Sequence, residues 1–310
     1  MVVDVSTIAS VISREHKIEC DHDLQNVLCG LETNSSLFLS TQLRERLIAL
    51  DELDVRFRDC ESGDSTTYEN SQIHQRAKML RTRLEAANAE LYQSVRADIV
   101  RGGQPRALLH YLRDLVSRDE SSAPLPGLGF DCGDELVCGV LQLREPREPD
   151  FQRSPEMVPY QPTPVRHTLQ LITANALAEN DIFVDLGSGL GLVPLLVSML
   201  TGAQSLGIEV QAAYVASSRE CAQSLNLNRV RFIAQDAREA DLSTGSVFYL
   251  YSPFKGSILS DVLRGLRLES GHRSIRVCSL GPCTRTIAKE TWLKASELPD
   301  MTHVAVFDSR

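Results

Sequence analysis

The chain of 310 residues is long enough for one large domain or two ordinary ones, and its composition of 43% hydrophobic and 24% charged residues is typical of globular proteins. Its longest nearly apolar run, Leu192 to Leu200, has about half of the ~20 residues that a membrane-spanning helix needs. The N-terminus has no basic segment followed by an apolar one. We therefore exclude an integral membrane protein and expect a cytoplasmic one.

The net charge of −9 lies entirely in the first half of the chain. Residues 1–150 contain 17 Lys and Arg against 26 Asp and Glu, whereas residues 151–310 contain 15 of each kind. Proteins that follow a phosphate backbone usually carry a basic face, so broad nucleic-acid binding is not expected. A basic partner would suit the acidic half.

Cysteine and histidine spacing predicts no metal site. The eight cysteines form no C-x-x-C pair, and no two of the seven histidines lie four residues apart on one helix face. Without a secretory signal, the expected state of the cysteines is that of reduced thiols packed as small hydrophobic side chains.

The first part of the chain has a helical pattern, because apolar residues recur at steps of three and four from Val5 to about Val116. A polar stretch at 60–71 is predicted to be a loop. A long amphipathic helix is predicted from Ile73 to Ile99, and a second helix from Arg106 to Arg118. We interpret residues 1–124 as an acidic helical domain.

A segment rich in Pro, Gly and Ser at 121–129 marks the boundary of this domain, and residues 125–165 are interpreted as a connector. Beyond it, over 166–310, near-continuously apolar strands alternate with helices, which is typical of a parallel sheet covered on both faces. The predicted strands are 181–186, 205–210, 230–235, 247–252 and 274–280, followed by two last strands at 291–296 and 303–309. The expected fold class is α/β, with a doubly wound, mostly parallel sheet closed by an antiparallel hairpin and preceded by an α-helical N-terminal domain.

The first of these strands runs directly into a glycine turn, Gly187-Ser188-Gly189-Leu190-Gly191, and a helix opens at Leu192. Such a turn lets backbone amides and the positive end of a helix approach a ligand closely. The dinucleotide fingerprint G-x-G-x-x-G would need its third glycine at position 192. Because that residue is a leucine, a dinucleotide ligand is disfavoured.

Two carboxylates occur where these strands end. Asp185 precedes the turn by two residues, at a position where it could bind an ammonium group but would repel a pyrophosphate. Glu209 ends the next strand, 20 residues after Gly189, at a position suited to the two hydroxyl groups of a ribose. Both positions favour a nucleoside ligand with a positive charge.

In order, FVDLGSGLG, GIEV, AQDA and LYSPF resemble the motifs of class I S-adenosylmethionine-dependent methyltransferases, over roughly residues 166–309. The resemblance implies S-adenosylmethionine as the cofactor. It also implies a role for each matching position. The turn residues Gly187, Ser188, Gly189 and Gly191 would lie near the methionine part of the cofactor, and Asp185 would hold the amino group of that part. Glu209 would hold the ribose of the cofactor. Asp236 and Ala237 would lie at the adenine amine, and Val210 would pack on the adenine ring.

The segment Tyr251-Ser252-Pro253-Phe254 is similar to the Asn/Asp-Pro-Pro-Tyr/Phe motif of amino-methyltransferases, in which a side-chain oxygen and a backbone carbonyl hold the target amine. Here Ser252 takes the first position, Pro253 is the single proline and Phe254 supplies the aromatic wall. These residues and Tyr251 are the candidate catalytic residues. The departure from the motif leaves the acceptor open, with an amine or a protein nitrogen as candidates.

The segment from Met157 to Pro164 precedes the first methyltransferase helix, where this superfamily often lays a lid over the cofactor. Tyr160 is therefore a candidate contact to cofactor or substrate, and the alternative is a linker stiffened by prolines. The helical extension with the DLGSG turn is similar to the layout of Dot1-type histone lysine methyltransferases and their bacterial relatives. Their fourth motif is Asn-Asn-Phe-like, so lysine is one candidate acceptor among several.

Two alternatives to an active methyltransferase remain at this point. The first is a scaffold protein that binds S-adenosylmethionine or its demethylated product without catalysis. The second is an NAD-dependent oxidoreductase, since Glu209 suits a ribose in either case, but such an enzyme needs a substrate domain after the nucleotide fold. Turnover distinguishes the first alternative from an enzyme.

Overall fold

The computed structural model describes residues 24–61, 72–102, 106–119, 131–146 and 152–310. Most of the predicted loop at 60–71 and all of the Pro/Gly/Ser segment at 121–129 lie outside these ranges. The chain divides into two compact units, Met1–Ser94 and Val95–Arg310, and the division falls within one long helix. Among the helices of the described ranges, none combines the length and apolarity that a membrane crossing requires.

The first unit is helical in its described part. Residues 24–33 form a helix, a 3₁₀ turn follows at Ser35–Phe38, and α1 (Leu43–Glu61) and α2 (Gln72–Val100) as far as Ser94 complete it. The helix predicted from Ile73 to Ile99 is thus confirmed as α2. Apolar side chains at helical spacing form its core, which comprises Leu24, Leu28, Leu37, Ala49, Leu53, Ala77, Leu80 and Leu84.

A buried cation stabilises this helical unit from inside. Arg46 on α1 is fully buried, and its guanidinium donates to the Asn88 side chain at 2.6 Å and to the carbonyls of Leu37 and Leu39 at 2.8 and 2.5 Å. A buried guanidinium is costly without partners, and these hydrogen bonds offset that cost. Because the partners lie on α2 and around the 3₁₀ turn, the bonds connect both of them to α1.

The second unit contains a seven-stranded sheet in the order β3-β2-β1-β4-β5-β7-β6. Strands β1 to β5 are parallel, and β7 pairs antiparallel with both β5 and β6. The strands are Ile182–Leu186, Gln204–Glu209, Val230–Ala234, Val247–Leu250, Arg276–Ser279, Leu293–Ala295 and Ala305–Ser309. The predicted fold class, with its closing antiparallel hairpin, is confirmed.

The helices of this unit cover the sheet. Helix α6 (Leu192–Thr201) packs on β1 and β2, and α7 (Ala212–Ser224) packs on β2 and β3, while apolar residues of α8 (Gly256–Ser270) form a core with β1, β4 and β5. This coverage explains why β1 and β4 are buried on both faces. The helices after α2 are α3 (Arg106–Asp119), α4 (Cys132–Leu141), α5 (Val165–Ala174), α6 (Leu192–Thr201), α7 (Ala212–Ser224), α8 (Gly256–Ser270) and α9 (Thr284–Ile287).

The strand order creates a crevice at one edge of the sheet. The chain adds β2 and β3 on one side of β1, then reverses and adds β4 and β5 on the other side. In open α/β sheets, ligands bind where the order reverses, beyond the carboxyl ends of the strands. The loops that follow β1 and β4 meet at this position.

Helix α4 lies within residues 125–165, which are interpreted from the sequence as a connector. A capping box begins the helix, because the Asp131 carboxylate accepts from the N–H groups of Gly133 and Asp134, and the Asp134 carboxylate accepts from the N–H of Asp131. Helix α4 contacts α3 and α5. The helical pattern is hard to recognise in the sequence, because this helix has only ten residues and lies within a stretch rich in Pro, Arg and Glu.

Asp134 also makes stability depend on pH. Its carboxylate accepts from the N–H of Val165, the first residue of α5, at 2.7 Å, and burial together with Asp131 raises its pKa to about 7 from an ordinary value of 3.8. At a pH between these two values, Asp134 therefore keeps its proton in the folded state and has lost it in the unfolded state. This stabilisation is complete below about pH 4 and is lost as the pH rises through 7.

We expect the free energy of unfolding to fall between pH 5 and pH 8 by more in the wild-type protein than in Asp134→Asn, because asparagine does not titrate. Urea denaturation at the two pH values measures both. Near Asp134 lie two charged groups, Asp131 and its ion-pair partner Arg166, and the titratable Cys138 thiol, and the variant keeps all three. An identical change in the two proteins would contradict the assignment to Asp134.

Candidate functional site

The glycine turn joins β1 to α6 at the crevice. Gly187 and Gly189 adopt φ values of +86° and +52°, a region that residues with a Cβ rarely occupy. A Cβ on Gly187 would lie 2.3 Å from the Cβ of Pro253, and one on Gly189 would lie 2.2 Å from the ring of Tyr160. Both positions require glycine, because other parts of the site lie directly against the backbone.

Hydrogen bonds hold this turn against β2. The N–H groups of Gly187 and Ser188 donate to the carbonyl of Ile208 at 2.8 and 3.0 Å, and the N–H of Gly189 donates to the Glu209 carboxylate at 3.0 Å. The Ser188 hydroxyl is buried and has no hydrogen-bond partner in the described part of the chain. The backbone of the turn is therefore fixed by the protein itself.

Two buried carboxylates lie beside the turn, near the carboxyl ends of β1 and β2. Asp185 is 4% exposed and Glu209 is 7% exposed. The Glu209 carboxylate accepts from the N–H groups of Gly189 and Gln211, whereas that of Asp185 accepts from none of the residues that the structure describes. Burial and the neighbouring Glu209 raise the pKa of Asp185 well above its usual value, and burial raises the pKa of Glu209. A cationic ligand group would stabilise this uncompensated acidic pair.

Asp236 follows β3 at the same edge of the sheet. Its carboxylate forms an ion pair with Arg238 at 2.7 Å, and the hydrogen bonds from that side chain lower its pKa. The N–H of Gln235 donates to the Glu209 carbonyl at 3.0 Å, so the ends of β2 and β3 are connected. Asp236 is therefore a fixed, ionised acceptor.

The segment after β4 lies beside the glycine turn. The Ser252 hydroxyl donates to the carbonyl of Leu280 and accepts from the N–H of Cys283, both at 3.0 Å. The Pro253 carbonyl accepts from the N–H of Val158 at 2.9 Å. The two oxygens that the amino-methyltransferase motif assigns to the target amine are thus already engaged within the protein.

Tyr251 and Phe254 are the other predicted residues of this segment. Phe254 is buried, and its backbone forms an antiparallel bridge with Met157. The Tyr251 hydroxyl is buried without a hydrogen-bond partner among the described residues, and burial raises its pKa. Tyr251 therefore keeps an unused hydrogen-bonding group at this end of the site.

These elements surround a cavity of about 670 Å³. Every site residue predicted from the sequence lines it except Gly191, which lies against the ring of Phe232 where α6 begins. The lining residues are Tyr160, Asp185, Gly187, Ser188, Gly189, Glu209, Val210, Asp236, Ala237, Tyr251, Ser252, Pro253 and Phe254. The fold brings them together, and their individual roles remain predictions.

Two further lining residues were missed by the sequence analysis. Gln211 is 8% exposed, and its side-chain carbonyl is buried without a partner in the described ranges. Its place two residues after Glu209, at the end of a strand, is a signal that could have found it. Tyr214 packs edge-on against Tyr160, with 5.3 Å between the ring centroids, and no local pattern predicts this contact. Nowhere in the described ranges do three His, Cys, Asp or Glu side chains gather as they would around a metal ion.

Comparison with known proteins gives one match to a family. Residues 157–250 match the family model described as "Histone methylation protein DOT1", and this segment contains the glycine turn and both buried carboxylates. No curated protein matches the chain significantly.

Several methyltransferases are among the solved structures that match this chain. An RNA methyltransferase from Salinibacter ruber, in complex with S-adenosyl-L-homocysteine, is 24% identical with a TM-score of 0.40 over 48% of this chain and 92% of that one. A human methyltransferase 10 domain containing protein is 15% identical, with a TM-score of 0.37 over 49% and 84% of the two chains. A dimethyladenosine transferase from Plasmodium falciparum is 12% identical, with a TM-score of 0.36 over 46% and 60%.

The strand order and the family match agree with the resemblance described from the sequence. The glycine turn and the two carboxylates occupy the ends of β1 and β2, where the reversal of strand order opens the crevice. The chain thus has the class I S-adenosylmethionine-dependent methyltransferase fold, and its residues 157–250 are similar to the DOT1 family.

Proposed function

We propose that this chain binds S-adenosylmethionine in the cavity and transfers its methyl group to an amine nitrogen of a basic protein. The observation that carries the proposal is Asp185, a buried carboxylate with no partner in the described chain, beside a glycine turn and a second buried acid. A sulfonium nucleoside with an ammonium group supplies the positive charge that this pair lacks.

The residues of the cavity fit the parts of this cofactor. The ammonium group would be held by Asp185, and the backbone of Gly187 and Gly189, which lines the cavity, would lie beside the methionine part. The ribose hydroxyls would donate to Glu209, whose carboxylate oxygens keep lone pairs beyond their bonds to backbone N–H groups. The adenine would lie at the end of β3, with its amine on Asp236 and its ring near Val210 and Ala237, which also line the cavity.

When bound, S-adenosylmethionine supplies an electrophilic methyl group on its sulfur. An in-line displacement of this kind requires alignment of the nucleophile and exclusion of water more than a strong base. Tyr160 and Phe254, both at the wall of the cavity, would exclude water from the two ends of the site. The Tyr251 hydroxyl would orient the acceptor, because it has no hydrogen-bond partner in the described protein.

A basic protein as the acceptor is supported by two observations. The matching family model is described by histone methylation, and histones are basic proteins. The first 150 residues carry a net charge of −9, which attracts a cationic partner at long range.

A second candidate function is cofactor binding without transfer. It is favoured by the engagement of the Ser252 hydroxyl and the Pro253 carbonyl within the protein, since each oxygen already accepts one hydrogen bond and keeps only one lone pair for an amine. The two functions share the cofactor and differ only in turnover.

Incubation of the purified full-length protein with methyl-labelled S-adenosylmethionine and a fractionated lysate tests both candidates. We expect label in the protein fraction, with purified core histones labelled in a parallel reaction, and much less label with the Asp185→Asn variant at a cofactor concentration below its dissociation constant. Label in RNA or in small molecules would contradict the proposed acceptor. Cofactor binding measured by calorimetry, together with no transfer to any fraction, would favour the scaffold.

A further inference from the structure

A strap, which we define as residues 152–164, connects the two ends of the cavity. At the acceptor end, Met157 forms a backbone bridge with Phe254, and the N–H of Val158 donates to the Pro253 carbonyl at 2.9 Å. At the cofactor end, the Tyr160 ring lies against the backbone of Gly189. A displacement of the strap would therefore change contacts at both ends of the cavity.

One side chain fastens the strap to the start of α8. The Glu156 carboxylate accepts from the N–H of Ser257 at 3.1 Å, from its hydroxyl at 2.7 Å and from the N–H of Ile258 at 3.1 Å. The Glu156 carbonyl also accepts from the N–H of Lys255 at 2.9 Å. These hydrogen bonds join segments about one hundred residues apart in sequence.

Helix α8 lacks a cap of its own, and this explains the role of Glu156. Its N-cap residue is Lys255, whose side chain makes no capping bond, and its first turn contains no acidic residue. The N–H groups of Ser257 and Ile258 are those that a capping side chain normally satisfies. A carboxylate at this position also interacts favourably with the positive end of the helix dipole. Glu156 therefore acts as the missing cap, supplied by the strap.

Gly256 is the matching position on the helix side. Its φ is +59°, and a Cβ there would lie 2.2 Å from a carboxylate oxygen of Glu156. Only glycine allows the carboxylate to reach the helix N-terminus, so the contact requires a particular residue on each side. This gives two independent variants that disturb the same contact.

We propose that Glu156 is a positioning residue for the methyl-transfer site. Its cap on α8 fixes the strap in the position in which Tyr160 lies against the glycine turn and the strap backbone bonds to Pro253 and Phe254. This inference rests on the proposed function. It adds a residue that touches neither the cofactor nor the acceptor but sets the geometry of the residues that do.

The experiment compares Glu156→Gln and Gly256→Ala with two control variants. Glutamine keeps the size of Glu156, but one of its two oxygens becomes an N–H₂ group that faces an N–H donor, so at least one of the two capping bonds is lost. Glu179→Gln removes an exposed carboxylate of the same unit, and Gly202→Ala introduces a Cβ at a φ of +73°, where the nearest atoms are 3.9 Å away. The controls therefore match the loss of charge and the backbone strain without touching the strap.

Two measurements on each variant separate positioning from a general loss of stability. Hydrogen exchange of the ligand-free protein should show the Val158 amide exchanging about tenfold faster in both strap variants, with the amides of β1 and β4 unchanged. Calorimetry should show the dissociation constant of S-adenosylmethionine raised about tenfold in the same two variants. The double variant should be no worse than the poorer single one, since both act on one contact.

Equal acceleration of all amides, or unchanged exchange at Val158 and unchanged affinity, would overturn the inference. A wild-type protein that fails to bind S-adenosylmethionine would refute the proposed function. Binding by the wild type with no effect of the Glu156 variant would refute the positioning role alone.

Discussion

Replacing Asp185 with asparagine should weaken the binding of S-adenosylmethionine by about 10- to 100-fold while leaving the ligand-free protein at least as stable as the wild type. The loss of affinity follows because a buried, charge-assisted hydrogen bond to the ammonium group disappears. Stability is spared because asparagine has nearly the same shape, and its side chain relieves the cost of burying a carboxylate next to Glu209. Calorimetry and urea denaturation measure the two quantities.

The raised pKa of Asp185 adds a dependence on pH with a definite sign. Only the ionised carboxylate pairs with an ammonium group, so binding lowers the pKa of Asp185 and releases protons. Affinity should therefore increase as the pH rises toward that pKa, and calorimetry in buffers of different ionisation enthalpy should detect the released protons. Glu179→Gln, an exposed carboxylate three residues before β1, serves as the control. Unchanged affinity in Asp185→Asn would contradict both the cofactor site and the function built on it.

The substitution Gly191→Ala should destabilise the protein by about 2–5 kcal/mol, from the sum of backbone strain and overpacking. Gly191 has a φ of +75° at the N-cap of α6, and a Cβ there would lie 2.3 Å from the ring of Phe232. That ring is buried on β3, so it cannot move aside easily.

Gly202→Ala provides the matched control for this prediction. Its φ of +73° is nearly the same, but the nearest atoms are those of Glu179 at 3.9 Å, so only the strain of about 1–2 kcal/mol is expected. The free energies of unfolding from urea denaturation give both values. Equal losses in the two variants would mean that the Phe232 contact imposes no constraint on the turn.

Local patterns in the sequence predicted the parts of the fold that depend on neighbouring residues. A near-continuous apolar run of strand length that ends at a glycine turn is typical of a strand covered on both faces, and so β1 was predicted to within one residue of its start. The glycine turn was recognised because a strand, closely spaced glycines and an apolar helix follow one another directly. Asp185 and Glu209 could be assigned to one edge because the carboxyl ends of parallel strands lie together.

Tertiary structure decided the features that depend on segments far apart in sequence. Ser252 stays a candidate catalytic residue, and its hydroxyl bonds to the backbone at Leu280 and Cys283, which no spacing near Ser252 could indicate. In the same way, α8 lacks a local cap and obtains one from Glu156. Strands and turns depend on the composition of consecutive residues, so the sequence predicts them. The hydrogen-bond partner of a buried polar group or of a helix end is determined only when folding brings distant segments into contact.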